Sequence, residues 1–319
     1  MNNKLIGIGE LLIDFIPHEK GRKLKEVQTF MRVAGGAPAN VCACVSLLGQ
    51  ESIMLTKVGN DAFGDFLIET LEKCNVDVTH IKKTDQANTA LAFVSIDHDG
   101  ERDFSFYRNP SADLLFDENE IDESIFKPND VLHFCSVDLI DAPVKKAHYK
   151  AISYAHQHQM IVSFDPNLRF PLWPDKIKYR QTILEFIPFA HLIKISDDEL
   201  FFITGIEDIE QAVQSLFQGH VCVVVITKGS QGATVHTKTS QFFVPSIKTV
   251  AVDTTGAGDA FIGAIIYKIL SQKIHLDQLE KQIDERVIRF AHQVSAYVVS
   301  RYGAIPAMPR LSNLELTEK

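Results

Sequence analysis

The sequence is short of the features that mark secreted, membrane-spanning or nucleic-acid-binding proteins. Its five cysteines, Cys42, Cys44, Cys74, Cys135 and Cys222, are an odd set without a Cys-x-x-Cys pair, which argues against a disulfide framework and a zinc site. Cys42 and Cys44 stand two apart on an expected helix, so they face different ways and read as small buried hydrophobes. No run of about 18 apolar residues is present to cross a bilayer. Glu10 and Asp14 interrupt the first apolar run, unlike the core of a signal peptide, and a cytoplasmic setting is expected. Positive charge is also scarce. With 32 Lys and Arg against 41 Asp and Glu, the net charge of −9 leaves no basic face for nucleic acid. An anionic nucleotide would have to be held locally, by backbone donors and a few cations. The Gly-x-x-x-x-Gly-Lys-[Ser/Thr] loop and the protein-kinase motif set are both missing, which excludes those two phosphotransfer classes. Repeats and low-complexity segments are absent as well.

What is present is an ordinary globular composition, 45% hydrophobic and 23% charged over 319 residues, enough for one large domain or a domain with a small addition. Short apolar runs alternate with helical patterns. Strands are expected at Lys4 to Gly9, Ser52 to Val58, Val131 to Cys135, Met160 to Phe164, Leu192 to Ile195 and Val221 to Ile226. Helices are expected at Val41 to Leu48, Asp61 to Cys74 and Pro143 to His156. This rhythm implies a doubly wound α/β fold, a mostly parallel sheet with helices on both faces. One stretch breaks it. Thr89 to Ile96, a His98-Asp99-Gly100 turn and Arg102 to Tyr107 alternate like a hairpin, and with residues 12–34 they suggest a small antiparallel flap over a site. Gly7-x-Gly9 does not begin a dinucleotide fingerprint, because Leu12 replaces the third glycine and Glu10 places a carboxylate beside it.

The most informative stretch is Ala251 to Ala264. Extended, β-branched residues pass through Gly256-Ala257-Gly258 into a strongly apolar helical run that begins after Asp259. First-turn N–H groups lack intrahelical partners, small residues let a ligand approach, and the helix dipole favours an anion there. A carboxylate beside such an anion hole would repel phosphate unless it takes the proton of the group that attacks it. Phosphoryl transfer requires that pairing of donors and base. The alternative is a capping Asp on a glycine turn with no chemistry.

Other polar or glycine-rich segments follow the expected strand C-termini, where open α/β sheets collect ligands: Asp14, Asp165 to Arg169, Asp197 to Glu199, and Thr227 to Gly232. A second loop-to-helix junction, Ala34-Gly35-Gly36-Ala37-Pro38-Ala39-Asn40, permits close ligand approach at Gly35 and Gly36 and sets Asn40 in the first helical turn. These two junctions carry a resemblance. Gly35 to Asn40, continued through Gly49 and Gly59, is similar to the amino-terminal signature of the ribokinase-like (PfkB-type) carbohydrate kinases, with Cys42 where a small Ser, Thr or Ala is usual. Asp253 to Asp259, continued to Ile266, is similar to their carboxy-terminal signature without departure. Within that family the chain looks most like the fructokinases, a likeness strengthened by Phe106 to Asp113, and it extends over essentially the whole sequence.

The resemblance implies a ribokinase-like fold, with residues 1–11, 35–85 and 113–319 forming the nucleotide- and sugar-binding domain and residues 12–34 and 86–112 a β lid over the sugar. It implies an ATP- and Mg²⁺-dependent kinase that phosphorylates a primary hydroxyl, with D-fructose giving fructose 6-phosphate as the expected reaction. Asp259 would be the base and Gly256, Ala257 and Gly258 the anion hole; Asp14, Gly35, Gly36, Asn40, Arg108 and Arg169 would face the sugar. Lys194, Ser196, Thr227, Gly229, Gly232 and His292 would flank the nucleotide, although Ser196 stands where the family often has Asn. Glu199 would act through water on Mg²⁺, and Asp253, Thr255 and Gly303 resemble a monovalent-cation loop, with K⁺ the candidate ion. The forked geometry of arginine also suits a keto-acid sugar, so 2-keto-3-deoxygluconate kinase and ribokinase are the alternatives. A non-catalytic nucleotide or sugar sensor is the reading from another class, but a sensor has no use for Asp259. A homodimer formed through the lid is a further expectation.

Overall fold

A computed structural model describes residues 3–19, 21–96 and 102–314. The chain begins with β1 (Lys4–Ile8), leaves for β2 (Leu12–Pro17) and β3 (Phe30–Gly35), and returns through α1 (Ala37–Leu47), β4 (Glu51–Gly59), α2 (Ala62–Lys73) and β5 (Ile81–Thr84). A second excursion, β6 (Leu91–Ile96) and β7 (Arg102–Tyr107), follows; the expected His98-Asp99-Gly100 turn between them lies outside the described residues. Strand and helix then alternate through β8 (Val131–Cys135), α3 (Pro143–Gln157), β9 (Ile161–Asp165), α4 (Lys176–Phe186), β10 (Leu192–Ser196), α5 (Asp197–Thr204), α6 (Ile209–Ser215) and β11 (Val223–Thr227). An antiparallel pair, β12 (Gly232–His236) and β13 (Gln241–Pro245), precedes α7 (Ala257–Ser271), α8 (Leu279–Gln282) and α9 (Glu285–Val299).

Nine strands form one sheet in the order β13-β12-β11-β10-β9-β8-β1-β4-β5, parallel from β11 to β5. Its central strands are apolar on both faces, as burial under two helical layers requires. Val223 and Val225 belong to one core and Val224 and Ile226 to the other; Val131 and Leu132 divide in the same way. The first core is shared with α1, α2, α7 and α9, the second with α3, α4, α5 and α6. Strand order reverses at β1, which lies between β8 and β4, so a crevice opens beyond the C-terminal ends of β1 and β8.

The pair β12 and β13 was not expected from the sequence. The strand β12, paired between β11 and β13, opens on Gly232 and carries Thr234 and His236, and the edge strand β13 buries a single residue, so neither shows the continuous apolar run that marks the parallel strands. The helix α7 also starts earlier than expected, at Ala257, which moves Asp259 from the approach into the first helical turn. The strand β9 runs on to Asp165.

A second sheet has the order β3-β2-β6-β7, with β2 antiparallel to β3 and parallel to β6. It is held by aromatic packing: Phe15 stacks on Phe93 at 4.6 Å and meets Phe63 of α2 edge-on at 5.8 Å. This sheet overhangs the crevice.

The helices that carry the crevice, α1 and α7, approach closely through small residues. A Cβ placed on Gly263 would lie 2.9 Å from both Cβ and Sγ of Cys44. Gly263→Val should therefore force the two helices apart, lowering stability by about 1–3 kcal/mol despite the better helix propensity. A urea titration followed by circular dichroism measures this, and an unchanged midpoint would contradict the packing described.

Candidate active site

The first turn of α7 is built to hold a negative group in front of it and a carboxylate inside it. Gly256, at φ 75°, caps the helix in a left-handed conformation, and a Cβ there would meet Ala304 at 2.6 Å. The first-turn N–H groups of α7 have no place in its own hydrogen-bond ladder. Asp259 sits in that turn, buried, and each of its oxygens accepts an amide N–H: Oδ2 from Asn40 Nδ2 at 2.7 Å and Oδ1 from Asn167 Nδ2 at 3.0 Å. Burial pushes the Asp259 carboxyl above the ordinary carboxylate range, while the Asn40 bond, Arg169, Lys194 and the Asn167 bond pull it back. The result is an ionisable carboxylate fixed in one orientation and made more basic than usual.

Two cavities meet at this turn. The larger, about 810 Å³, is lined by Glu10, Asp14, Gly36, Asn40, Arg169, Gly256 and Asp259, and by Met31, Val94 and Phe106 of the overhanging sheet. The smaller, about 560 Å³, is lined by Thr227, Gly229 and Gly232, by residues 246–249, and by Ala257, Gly258, Phe261 and His292. Neighbouring residues of one helical turn thus face opposite cavities. The small residues have steric reasons. A Cβ on Gly35 would lie 2.1 Å from Asp14 Oδ2, and one on Gly36, at φ 108°, would lie 2.3 Å from the Glu10 carbonyl oxygen. In the larger cavity, burial pushes the Asp14 carboxyl up to about 7, with Arg169 opposing and Asp259 adding to the shift.

Beneath the turn lies a cation. Lys194 is buried, donates to Asp165 Oδ2 at 3.0 Å, and its Nζ is 3.0 Å from where a Gly258 Cβ would stand. Burial alone would lower its affinity for a proton, but Asp165 and Glu199 outweigh burial and keep Lys194 charged.

The sequence candidates do not all converge. Asp14, Gly36, Asn40 and Arg169 line the larger cavity, and Gly35 backs Asp14. Arg108 lies outside both linings, and the expectation that it faces the larger cavity is corrected. Its side chain is 6% exposed and is bound to Asp113 and Asp138, because a guanidinium beside two buried carboxylates is drawn to them rather than to a solvent-filled cavity. Ser196 is also outside the smaller cavity: it is the N-cap of α5, and its N–H donates to Glu199 at 2.9 Å. Glu199 additionally accepts the Leu168 N–H at 2.6 Å, so its carboxylate is fixed. Thr227, Gly229, Gly232 and His292 line the smaller cavity; His292 Nε2 lies 3.2 Å from the Val244 carbonyl and its ring meets Phe261 edge-on. Asp253, Thr255 and Gly303 come together, since Asp253 accepts from Thr255 N–H and hydroxyl at 2.9 and 2.7 Å and from Gly303 N–H at 2.9 Å.

Sequence reasoning missed Asn167 and Glu10. Asn167 was legible only as part of a polar loop after β9, although its left-handed backbone, φ 45°, is what turns its amide toward Asp259. Far from the crevice, His156, His191 and His220 bring ring nitrogens within 4.8 Å of one another, a spacing that suggests metal ligation. However, His191 Nδ1 accepts the Val162 N–H at 2.9 Å, so its neutral ring carries the proton on Nε2 and has no lone pair for a metal.

With this geometry in view, comparison with known proteins is informative. The profile of the pfkB family carbohydrate kinases matches residues 2–311. A probable fructokinase-2 of Arabidopsis thaliana is 40% identical over 306 residues, 96% of this chain and 92% of that protein. The crystal structure of a Xylella fastidiosa fructokinase with bound ATP is 33% identical and superposes with a TM-score of 0.91 over 99% of this chain and 98% of the other. A Vibrio cholerae fructokinase in a fructose-, ADP- and calcium-bound form is 31% identical, with a TM-score of 0.89 over 99% of both chains. The chain belongs to the pfkB family of carbohydrate kinases.

The raised Asp14 carboxyl gives a test of this site's electrostatics. Its folded pKa lies above the unfolded value, so ionisation costs stability as pH rises from about 4, and the cost is complete above about 7. Asp14→Asn should raise the melting temperature at pH 8 and give a smaller gain at pH 5, a modest effect because the residue is only half-buried. Equal gains at both pH values in paired thermal melts would contradict the shift.

Proposed function

We propose that this chain is an ATP-dependent fructokinase, moving the γ-phosphoryl group of ATP to the primary hydroxyl of D-fructose to give fructose 6-phosphate. The observation that carries the reading is the meeting of two cavities across one turn of α7, with the Asp259 carboxylate on one side and Ala257 and Gly258 on the other. In this reading the sugar occupies the larger cavity and the nucleotide the smaller. The sugar hydroxyl gives its proton to Asp259 as it attacks, and the amides of Gly256, Ala257 and Gly258 receive the charge that develops on the transferred group. Lys194, charged and beneath Gly258, adds fixed positive charge at the same place. Asp14, Asn40 and Arg169 orient sugar hydroxyls, with Gly35 and Gly36 allowing the close approach.

Thr227, Gly229, Gly232 and His292 flank the nucleotide; burial lowers the His292 pKa, so its ring is neutral and suited to a flat base. Glu199 fits the role of a Mg²⁺ residue acting through water, its carboxylate being fixed by two backbone donors while the ion would shield phosphate charge. The Asp253, Thr255 and Gly303 knot is the candidate monovalent-cation loop. The small sheet, residues 12–34 and 86–112, acts as a lid that excludes water and so suppresses ATP hydrolysis without sugar. Its end strands β3 and β7 carry exposed Met31 and Tyr107 and are the candidate surface for pairing two copies. Cysteines without disulfides accord with a cytoplasmic setting.

Solved relatives holding ATP, or fructose and ADP, support the assignment of substrates. The disposition of the arginines favours fructose over a keto-acid sugar, since Arg169 alone of the two lines the larger cavity. A coupled ADP-release assay with fructose, ribose, 2-keto-3-deoxygluconate and adenosine tests this. Fructose should give the highest kcat/KM, and ATP without sugar should turn over far more slowly. Preference for another of the four would reassign the cavity, and equal ADP release with and without sugar would contradict a sugar kinase.

A further inference from the structure

Three buried polar atoms near the roots of the small sheet have no hydrogen-bond partner among the described residues: Glu10 Oε2, Arg108 Nε and Asp138 Oδ2. Leaving such atoms unpaired is costly, so their coincidence marks an arrangement that another state of the molecule completes. Glu10 and Arg108 stand where the chain crosses between sheets, Glu10 between β1 and β2, and Arg108 directly after β7. One terminal nitrogen of Arg108 serves both Asp113 and Asp138, which leaves Nε–H free. Glu10 lines the larger cavity, and its Oε1 accepts the Ala37 N–H at 2.9 Å, holding the start of the helix that bears Asn40. One cation therefore serves three buried carboxylates, Glu10, Asp113 and Asp138. Burial, with Asp138 adding to it, raises the Glu10 carboxyl to about 8, and burial raises Asp138 as well, so the pair holds a proton at neutral pH in this state.

We propose that Glu10 is a positioning residue for the sugar: when a sugar fills the larger cavity and the small sheet settles over it, Arg108 Nε–H donates to Glu10 Oε2, latching the two chain crossings together. This rests on the cavity being the sugar site. Arg108 then acts on the sugar through Glu10 rather than by contact. Glu10 is a carboxylate in the latched state, so the proton held by the Glu10 and Asp138 pair passes to solvent, and sugar binding is coupled to proton release. The new bond is charge-assisted, and it exists only in the sugar-bound state, so its strength appears in sugar affinity.

Calorimetric titration at pH 7 tests the latch, in two buffers of different ionisation enthalpy, with wild type, Glu10→Gln, Arg108→Lys and the double variant. The sugar is the one that wild type phosphorylates best, so a wrong substrate shows itself beforehand in the turnover panel and not here. Wild type should release protons on binding sugar, and Glu10→Gln should not. Each single variant should bind sugar about tenfold more weakly, as loss of one charge-assisted hydrogen bond predicts. In Glu10→Gln, KM for ATP and the melting temperature should be nearly unchanged, whereas Arg108→Lys also loosens the Asp113 and Asp138 contacts and should lower the melting temperature. The double variant should be no weaker than the weaker single one. Unchanged sugar affinity or unchanged proton release in Glu10→Gln would overturn the proposal, as would additive losses in the double variant. A parallel loss of stability and of affinity for both substrates in Glu10→Gln would also overturn it, by making the role merely structural.

Discussion

The structure depends on one constraint, that a carboxylate be held buried in the first turn of a helix without losing its ability to ionise. Asp259 is removed from water by α1, α7 and the loop after β9, and desolvation would keep it protonated. Two side-chain amides, one from each neighbouring segment, donate to its two oxygens and offset that cost. The helix dipole acts in the same direction. Each segment is fixed in turn by its own packing: α1 by Glu10 at its start and by contact with α7, and the β9 loop by the left-handed Asn167. The nine-stranded sheet supplies the common floor, because its reversal at β1 brings the ends of β1, β8, β9 and β10 to one edge.

The same constraint explains why the site is divided. A carboxylate that accepts a proton and a phosphate-bearing ligand must be close, yet cannot share an unshielded space. The α7 turn directs Asp259 toward one cavity and Ala257 and Gly258 toward the other, with Lys194 beneath, as the proposed function requires. Small residues are needed there for different reasons. Gly256 supplies a backbone conformation that other residues resist, and Gly258 leaves room for the lysine.

Much of this was legible in the sequence, because glycine turns and carboxylates at strand ends are local signals. Asp14 and Asp259 could be placed on one edge from the strand pattern, whereas Gly35, Gly36 and Asn40 were legible as a loop-to-helix junction and joined the site through the family resemblance. Arg108 and Arg169 could not be told apart. Each follows a strand pattern, and only tertiary structure shows that Asp113 and Asp138 draw one of them away while the other remains beside the cavity. Asn167 was hidden because its contribution is a turn of the backbone, and Glu10 because its value lies in a bond to Ala37, 27 residues away. The strands β12 and β13 escaped because neither carries a continuous apolar run. What the sequence conceals here is partnership across distance, which no periodicity encodes.

The central claim is that Asp259 acts as a base from a fixed orientation. The most direct measurement is the turnover of Asp259→Asn, a substitution close in size, alongside binding of ATP and sugar to the same variant. Turnover should fall by roughly 10²- to 10⁴-fold, the range expected for a positioned base, while both ligands still bind and the fold is retained. Near-normal turnover in a correctly folded variant would show that the hydroxyl loses its proton elsewhere, and the geometry of the α7 turn would need another explanation.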